Sequence, residues 1–451
     1  MLQHPAYAQL HHVGANGCGG MVTLVGRAGA VRRLKQVRQA LRASALQTMP
    51  LVALSSGDSD VLIASRSRWG RVDRQAAAVG SGVCQVASLL PLDPALAAQI
   101  EACAPEGLTV HVRTLGALAE KQLRTRSQPA SEDEAEVAAA VAEIDQVLGE
   151  AEVLFGAFWD TVPGSTALGT TRFPPGLQWL CVAQAGASQV GRWLQEENKK
   201  PESLFVTNVS GIHARWIGEW VLGLMGAHCM RLPTLLQQQS QAKWQKIPSQ
   251  SIRGSTVLVI GLGAIGEEVS RLCRAFGATV LGTRRNVAVA AAFDGHIRNA
   301  PCDELHPASA LHDLLPRADF VVLATPGTAD TEALIGAPEL ALMQPTSALI
   351  NVSRGATVDF AALETSLRAP RGEGIAACYS DVAPEEPLPS SSHLWGVPNL
   401  YITPHNSGNP DGLAGTGPRY VEAAVACFCA QLRLYLRGEK VFNTVDNTLG
   451  Y

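Results

Sequence analysis

Short apolar runs alternate with stretches whose apolar residues recur at helical spacing, and from about residue 85 onward this alternation fills the chain. In the first half the pattern predicts strands at 86–90, 108–112, 153–155, 179–182 and 205–207. Helices are expected at 95–103, after an Asp93-Pro94 start, and around Val137, Val141, Ile144 and Leu148. A longer, almost uniformly apolar helical stretch follows Ile212, with Glu219 as its odd polar member, and 237–246 is polar enough for an arm or loop. In the second half, strands are predicted at 257–260, 278–281, 319–325, 348–352, 374–378 and 400–402, and a last helix over 420–438. Each strand is short and apolar without alternation, as a parallel sheet covered on both faces requires. The expected fold is therefore α/β: two doubly wound, parallel-sheet (Rossmann-like) domains with a cleft between them.

Composition narrows this picture little. With 451 residues, 47% of them hydrophobic and 17% charged, the chain can fill two or three domains, and a net charge near -4 without a basic patch argues against nucleic-acid binding. No apolar run is long enough to span a membrane. Ten cysteines lie scattered without zinc spacing or a CxxC pair, which favours free thiols in a reducing compartment, and Cys427-Phe428-Cys429 is expected in the core.

The first 84 residues read differently. At the chain's frequency of 40 acids in 451 residues, the first 57 positions should hold about five, yet they hold none against six Lys and Arg. Val31, Leu34, Val37, Leu41 and Ala45 share one helical face, with Arg32, Lys35, Arg38 and Arg42 off it. The segment is expected to be an N-terminal extension: a transit peptide for a mitochondrion or chloroplast, or else a disordered tail or a misassigned start at Met21 or Met49 in a cytoplasmic protein. Residues 85–212 with 406–451 would then form one discontinuous domain, the last helix crossing back onto the first half, and 213–405 the other.

The candidate chemistry begins at Gly261-Leu262-Gly263-Ala264-Ile265-Gly266, which follows one predicted strand and opens a helix. Gly261 suits the tight turn, Gly263 close approach of a pyrophosphate, and Gly266 helix-on-strand packing, with the phosphates at the helix N-terminus. Near the end of the next strand, where a ribose-binding acid would mark NAD, stand Thr283-Arg284-Arg285. That exchange favours the 2′-phosphate of NADP, with NAD possible. Three further polar residues, Arg354, Glu386 and His405, follow predicted strand ends that share one crevice in an open parallel sheet. A guanidinium can grip the carboxylate of a 2-oxo acid bidentately. An imidazole can deliver a proton to the carbonyl oxygen, and a neighbouring carboxylate favours the charged imidazole. His213, His228 and His393 lack such company and are expected to be structural. The loops 156–159 and 184–187, at the ends of first-half strands, are candidate pocket rims.

GLGAIG, INVSRG with Val358-Asp359 after it, DVAPEEPLP from Asp381, LWGVPNLYITPH ending at His405, and FNTVDNTLGY at the end together resemble the D-isomer-specific 2-hydroxyacid dehydrogenase family, notably its glyoxylate/hydroxypyruvate reductase-like branch. The resemblance implies an NAD(P)-dependent oxidoreductase, a homodimer, in which Arg354, Glu386 and His405 are catalytic. It implies that Gly261, Gly263, Ile265 and Arg284 contact the cofactor and that Asp381 holds the nicotinamide amide. Ala264, Gly266, Thr283, Arg285, Thr325, Pro326 and Val352 complete the expected nucleotide site, and Ala185 and Gly186 join Arg354 at the substrate. No metal is expected. Ala383 departs from the family's usual aromatic residue, and the loop around Arg368 to Gly374 is longer than usual. Glu386 argues against the formate dehydrogenase branch, which carries Gln there. The alternatives are an NAD-dependent D-lactate- or phosphoglycerate-type dehydrogenase, and a non-catalytic NAD(H)-sensing interaction protein of the co-repressor kind.

Overall fold

The computed structural model describes residues 54–56, 59–61, 82–90, 92–114, 134–157, 176–184, 204–285, 302–409 and 417–445. Residues Met1–Ala64 form a unit of their own, in which β1 (Leu54–Ser56) pairs antiparallel with β2 (Ser59–Val61). The helix expected over residues 31–45 lies outside the described residues, as do Phe158, Trp159, Ala185 and Gly186.

In the unit Ser65–Tyr451, β3 (Val83–Ser88), α1 (Pro94–Glu101), β4 (Thr109–Thr114), α2 (Glu134–Gly149), β5 (Val153–Ala157), β6 (Trp179–Val182) and β7 (Phe205–Asn208) come first. Their strands form one parallel sheet in the order β4-β3-β5-β6-β7. The start of α1 follows from sequence: Asp93 Oδ1 accepts from the Leu96 N–H at 2.8 Å, and Pro94 takes the first helical position, where no N–H is needed. Two further helices, α3 (Ala214–Cys229) and α4 (Leu232–Ser240), lead to the second sheet. The polar stretch 237–246 therefore begins inside a helix instead of forming an open arm, because Leu232-Pro233 starts a new helix after Arg231 in a left-handed conformation. Glu219 pairs with Arg215 at 3.5 Å on the exposed side of α3.

The second sheet is built from β8 (Thr256–Ile260), α5 (Ala264–Ala275), β9 (Thr279–Arg284), β10 (Glu304–Pro307), α6 (Leu311–Leu314), β11 (Phe320–Leu323), α7 (Ala337–Leu342), β12 (Ala348–Asn351), α8 (Phe360–Arg368), β13 (Ala377–Ser380) and β14 (Leu400–Ile402). All its strands are parallel, in the order β10-β9-β8-β11-β12-β13-β14. The order reverses beside β8, and ligands of open α/β sheets bind at such a reversal, beyond the carboxyl ends of the strands. Every residue of β11, β12 and β13 is buried, which accounts for apolar runs without alternation, polar only where β12 and β13 end at Asn351 and Ser380. The two predicted doubly wound sheets are thus both present.

The last helix, α9 (Pro418–Tyr435), returns to the first sheet. Phe428 stacks on Phe155 of β5 with ring centroids 4.1 Å apart and lies 5.2 Å from Trp179 of β6. Gln431 is fully buried and satisfied, since its Oε1 accepts from Thr207 at 2.7 Å and its Nε2 donates to the Asn208 carbonyl at 2.9 Å. Cys427, Phe428 and Cys429 lie in the core as expected, and the described cysteines are all free. Among the described residues no helix is long and apolar enough to cross a membrane.

Candidate active site

The glycine turn lies at the reversal point, between the ends of β8 and β11. Gly261 has φ +97°, and a Cβ there would stand 2.9 Å from the Ala324 carbonyl oxygen and 3.0 Å from Thr325 Cγ2. At Gly266 a Cβ would meet the Gly261 carbonyl oxygen at 2.2 Å, so helix α5 can press against the turn only without a side chain there. Gly263 differs: nothing lies within 4 Å of where its Cβ would be. No packing within the chain demands a glycine at 263, and the open space above it fits a group brought by a ligand. Ala264 and Ile265 start α5, whose N-cap Gly263 supplies no side-chain bond to the first-turn N–H groups, groups that have no partner within a helix.

The candidate nucleotide residues after the turn lie on neighbouring strand ends. Thr283 is buried, and its carbonyl accepts from the Leu262 N–H at 3.0 Å and the Gly261 N–H at 3.3 Å. Thr283 and Arg284 belong to β9 itself, not to a loop after it, because the strand runs three residues further than its apolar run. Thr325 and Pro326 follow β11. Thr325 Oγ1 is buried and has no hydrogen-bond partner, an arrangement that leaves a polar atom for a bound group to satisfy. Val352, just past β12, is buried, its N–H bonded to the Leu323 carbonyl at 3.2 Å. The open space at Gly263, at the N-terminus of a helix, and the orphaned Thr325 hydroxyl together fit a dinucleotide.

Beyond β12, β13 and β14 stand the three candidate catalytic side chains. Arg354 is half-buried, and its Nη1 donates to the Ser353 carbonyl at 2.7 Å. Burial pulls its pKa below the usual guanidinium value, against the opposing charge of Glu386. Its loop is set by Asn351, which the sequence reading passed over. Asn351 Nδ2 donates to the Arg354 carbonyl at 3.0 Å, while its Oδ1 accepts from the Ser353 N–H at 3.0 Å and hydroxyl at 2.7 Å. Next to it, a Cβ at Gly355 would come within 1.8 Å of the Ala383 carbonyl oxygen, so the loops carrying Arg354 and Glu386 are in backbone contact.

His405 Nδ1 lies 2.8 Å from Glu386 Oε2, and the other carboxylate oxygen accepts from the Ala383 N–H at 3.0 Å. Burial pushes the Glu386 carboxyl up. The His405 bond, the Ala383 N–H and the charges of His405 and Arg354 more than offset it, leaving a pKa below the ordinary value. Asp381 is almost fully buried and anchors the His405 segment: Oδ1 accepts from Thr403 Oγ1 at 2.7 Å and the Asn406 N–H at 2.9 Å, and Oδ2 from the Ser407 N–H at 2.8 Å. Its carbonyl also accepts from the His405 N–H at 2.9 Å. That brace holds His405 in a left-handed conformation, φ +55°.

His213 corrects the expectation that it lacks company. Burial first, then the positive charges of His405 and Arg354, lower its pKa to about 4, which places the three in one neighbourhood. Its ring centroid lies 5.3 Å from that of Tyr420, and a Cβ at Gly408 would touch it at 3.0 Å. The signal was present, because His213 follows the carboxyl end of β7 as Arg354 follows that of β12. His228 and His393 are structural: His228 is buried against Phe320 and lies 3.3 Å from the Tyr379 hydroxyl, and His393 pairs with Glu364 at the surface.

Residues 222–407 match the family model described as D-isomer specific 2-hydroxyacid dehydrogenase, NAD binding domain. The chain is 30% identical over 241 residues to the glycerate dehydrogenase of Methylorubrum extorquens, a match covering 51% of this chain and 69% of that protein. It is 28% identical over 250 residues to the D-3-phosphoglycerate dehydrogenase of Methanocaldococcus jannaschii, covering 54% of this chain but only 44% of that enzyme's length. In fold it is similar to a D-isomer specific 2-hydroxyacid dehydrogenase from Xanthobacter autotrophicus, crystallised with NADPH and MES: TM-score 0.59, 23% identity, 82% of this chain and 99% of that one. The match to most of a glycerate dehydrogenase and the matching nucleotide-binding model agree with the strand-end geometry, and the chain belongs to the D-isomer specific 2-hydroxyacid dehydrogenase family.

Proposed function

We propose that the protein is an NAD(P)-dependent oxidoreductase that reduces a small 2-oxo acid, glyoxylate or hydroxypyruvate first among them, to the D-2-hydroxy acid, with NADPH preferred and NADH accepted. The observation that carries this is the 2.8 Å His405–Glu386 pair, set beside Arg354 on the same sheet edge as the glycine turn. In this reading residues 213–405 hold the nucleotide, through the glycine turn, Arg284, Thr325 and Asp381, and residues 85–212 with 406–451 hold the substrate.

Arg354 binds the substrate carboxylate with its paired N–H groups and polarises the neighbouring carbonyl. His405, bonded through Nδ1 to Glu386, keeps Nε2 as the proton donor to the carbonyl oxygen as negative charge builds there. Glu386 orients the ring through the bond at Nδ1, where a carboxylate can only accept while the amide of glutamine could also donate. The reduced nicotinamide nucleotide, when bound, supplies hydride to the carbonyl carbon.

Initial rates with several 2-oxo acids, each with NADH and NADPH, test the reading. Turnover of glyoxylate or hydroxypyruvate with NADPH supports it; no turnover with any pair would leave a nucleotide-binding interaction protein. Neutralising Arg284 and Arg285 together should raise KM for NADPH more than for NADH, and equal effects would remove the 2′-phosphate argument. A homodimer is supported by exposed Met230, Leu232, Leu236 and Trp244, the last 97% exposed; Trp244→Lys should shift sedimentation toward the monomer. The acid-free first 57 residues support import into a mitochondrion or chloroplast. A fluorescent fusion to residues 1–84 that stays cytoplasmic would remove that part.

A further inference from the structure

Both arginines offered to a 2′-phosphate are already engaged by carboxylates. Arg284 Nη2 donates to Glu267 Oε1 at 2.9 Å, with the arginine side chain 13% exposed, whereas Arg285 reaches Asp330 at 3.1 Å on open surface. Glu267 follows Gly266 in the first turn of α5, and Arg284 ends β9. The pair therefore bridges the helix start and the second strand end, where the adenosine ribose of a dinucleotide lies in this fold.

We propose that Glu267 is a specificity-determining residue that competes with the 2′-phosphate for Arg284 and so narrows the preference for NADPH over NADH. This rests on the nucleotide-binding reading above and refines it. A phosphate dianion arriving at Arg284 meets a guanidinium with a donor already committed and a carboxylate of like sign beside it. At a few ångströms, partly shielded from water, that repulsion is larger than between two groups in bulk solvent. NADH brings a hydroxyl instead, which can donate to a carboxylate and suffers no such repulsion. One carboxylate thus weakens the first ligand and tolerates the second. Asp330 acts in the same sense but less, because its pair is open to solvent and screened.

Equilibrium titration of NADPH and NADH against the full chain, followed by nucleotide fluorescence, tests the proposal without requiring turnover. Glu267→Gln and Glu267→Ser should each lower the Kd for NADPH about tenfold, roughly 1.4 kcal/mol, and change that for NADH less than about twofold. Asp330→Asn should move the NADPH/NADH ratio less than about threefold. Adding Arg284→Gln to Glu267→Gln should abolish the gain, which locates the competition at Arg284. An unchanged ratio in both Glu267 variants, or equal tightening of both nucleotides, overturns the proposal. Wild-type protein that binds neither nucleotide overturns the nucleotide reading and this refinement with it.

Discussion

The two ends of the second sheet's carboxyl edge are built by different means. At β8 and β11 the structure is shaped by backbone: Gly261 and Gly266 leave no room for a Cβ, and the turn is held by main-chain bonds to Thr283. At β12, β13 and β14 it is shaped by side chains, with Asn351 fixing the Arg354 loop and Asp381 fixing the His405 loop. A nucleotide has a constant pyrophosphate that any chain can meet with peptide N–H groups, so shape suffices there. Proton delivery needs particular functional groups at particular distances, and those groups must be braced.

His405→Asn should separate the two ends most sharply. Loss of the proposed proton donor is expected to cost about 10²–10⁴-fold in kcat, while NADPH titrates as in wild type. A matching loss of nucleotide affinity would mean that the ends are not separable. Asp381→Asn comes next. It exchanges a carboxylate that accepts two backbone N–H bonds for an amide, weakening charge-assisted bonds worth about 1.5–3 kcal/mol each. Turnover and Tm should fall together, and unchanged kcat would show that the brace does not position His405. Within the glycine end, Gly263→Ala and Gly266→Ala should diverge. The first should weaken NADPH by about tenfold, about 1.4 kcal/mol, with Tm unchanged, because only the bound nucleotide would meet the new methyl group. The second should lower Tm whether or not nucleotide is present, because its methyl group meets the Gly261 carbonyl.

The smallest effect concerns acid. Burial lowers the pKa of His228 to about 4, below the ordinary value near 6.5, so between those values the unfolded chain takes up more protons than the folded one. Stability should fall as pH drops through that window, by at most about 1.4 kcal/mol per pH unit from this histidine. His228→Phe should flatten the slope of Tm against pH. Glu386 runs the same way at lower pH: its depressed carboxyl favours the fold above its ordinary range, and that contribution disappears as the pH falls through its folded value.

The glycine end was legible because its demands are local. Three glycines at fixed spacing between a strand and a helix state their own geometry. Arg354, Glu386 and His405 were legible as strand-end polar residues, and linked motifs added the family. The contacts that brace them were not. Asp381 meets partners at 403–407, and nothing in a run of amino acids says which distant N–H groups a buried carboxylate will accept. Glu267 reads as an ordinary acid near a helix start until Arg284 is found against it. His213 was expected to be structural for want of polar company in the sequence, although it stands beyond a strand end like the others. The extension of β9 through Thr283 and Arg284 was missed because polar residues there remain in the ladder with β8 and β10.

The left-handed backbone at His405 has a consequence for how this protein could change. A side chain with a Cβ is uncomfortable in that conformation by about 1–2 kcal/mol, and glycine is not. Glycine at 405 would relieve that conformation but remove the imidazole bonded to Glu386. The imidazole at 405 is therefore carried by a backbone conformation that a residue without a side chain would adopt more easily.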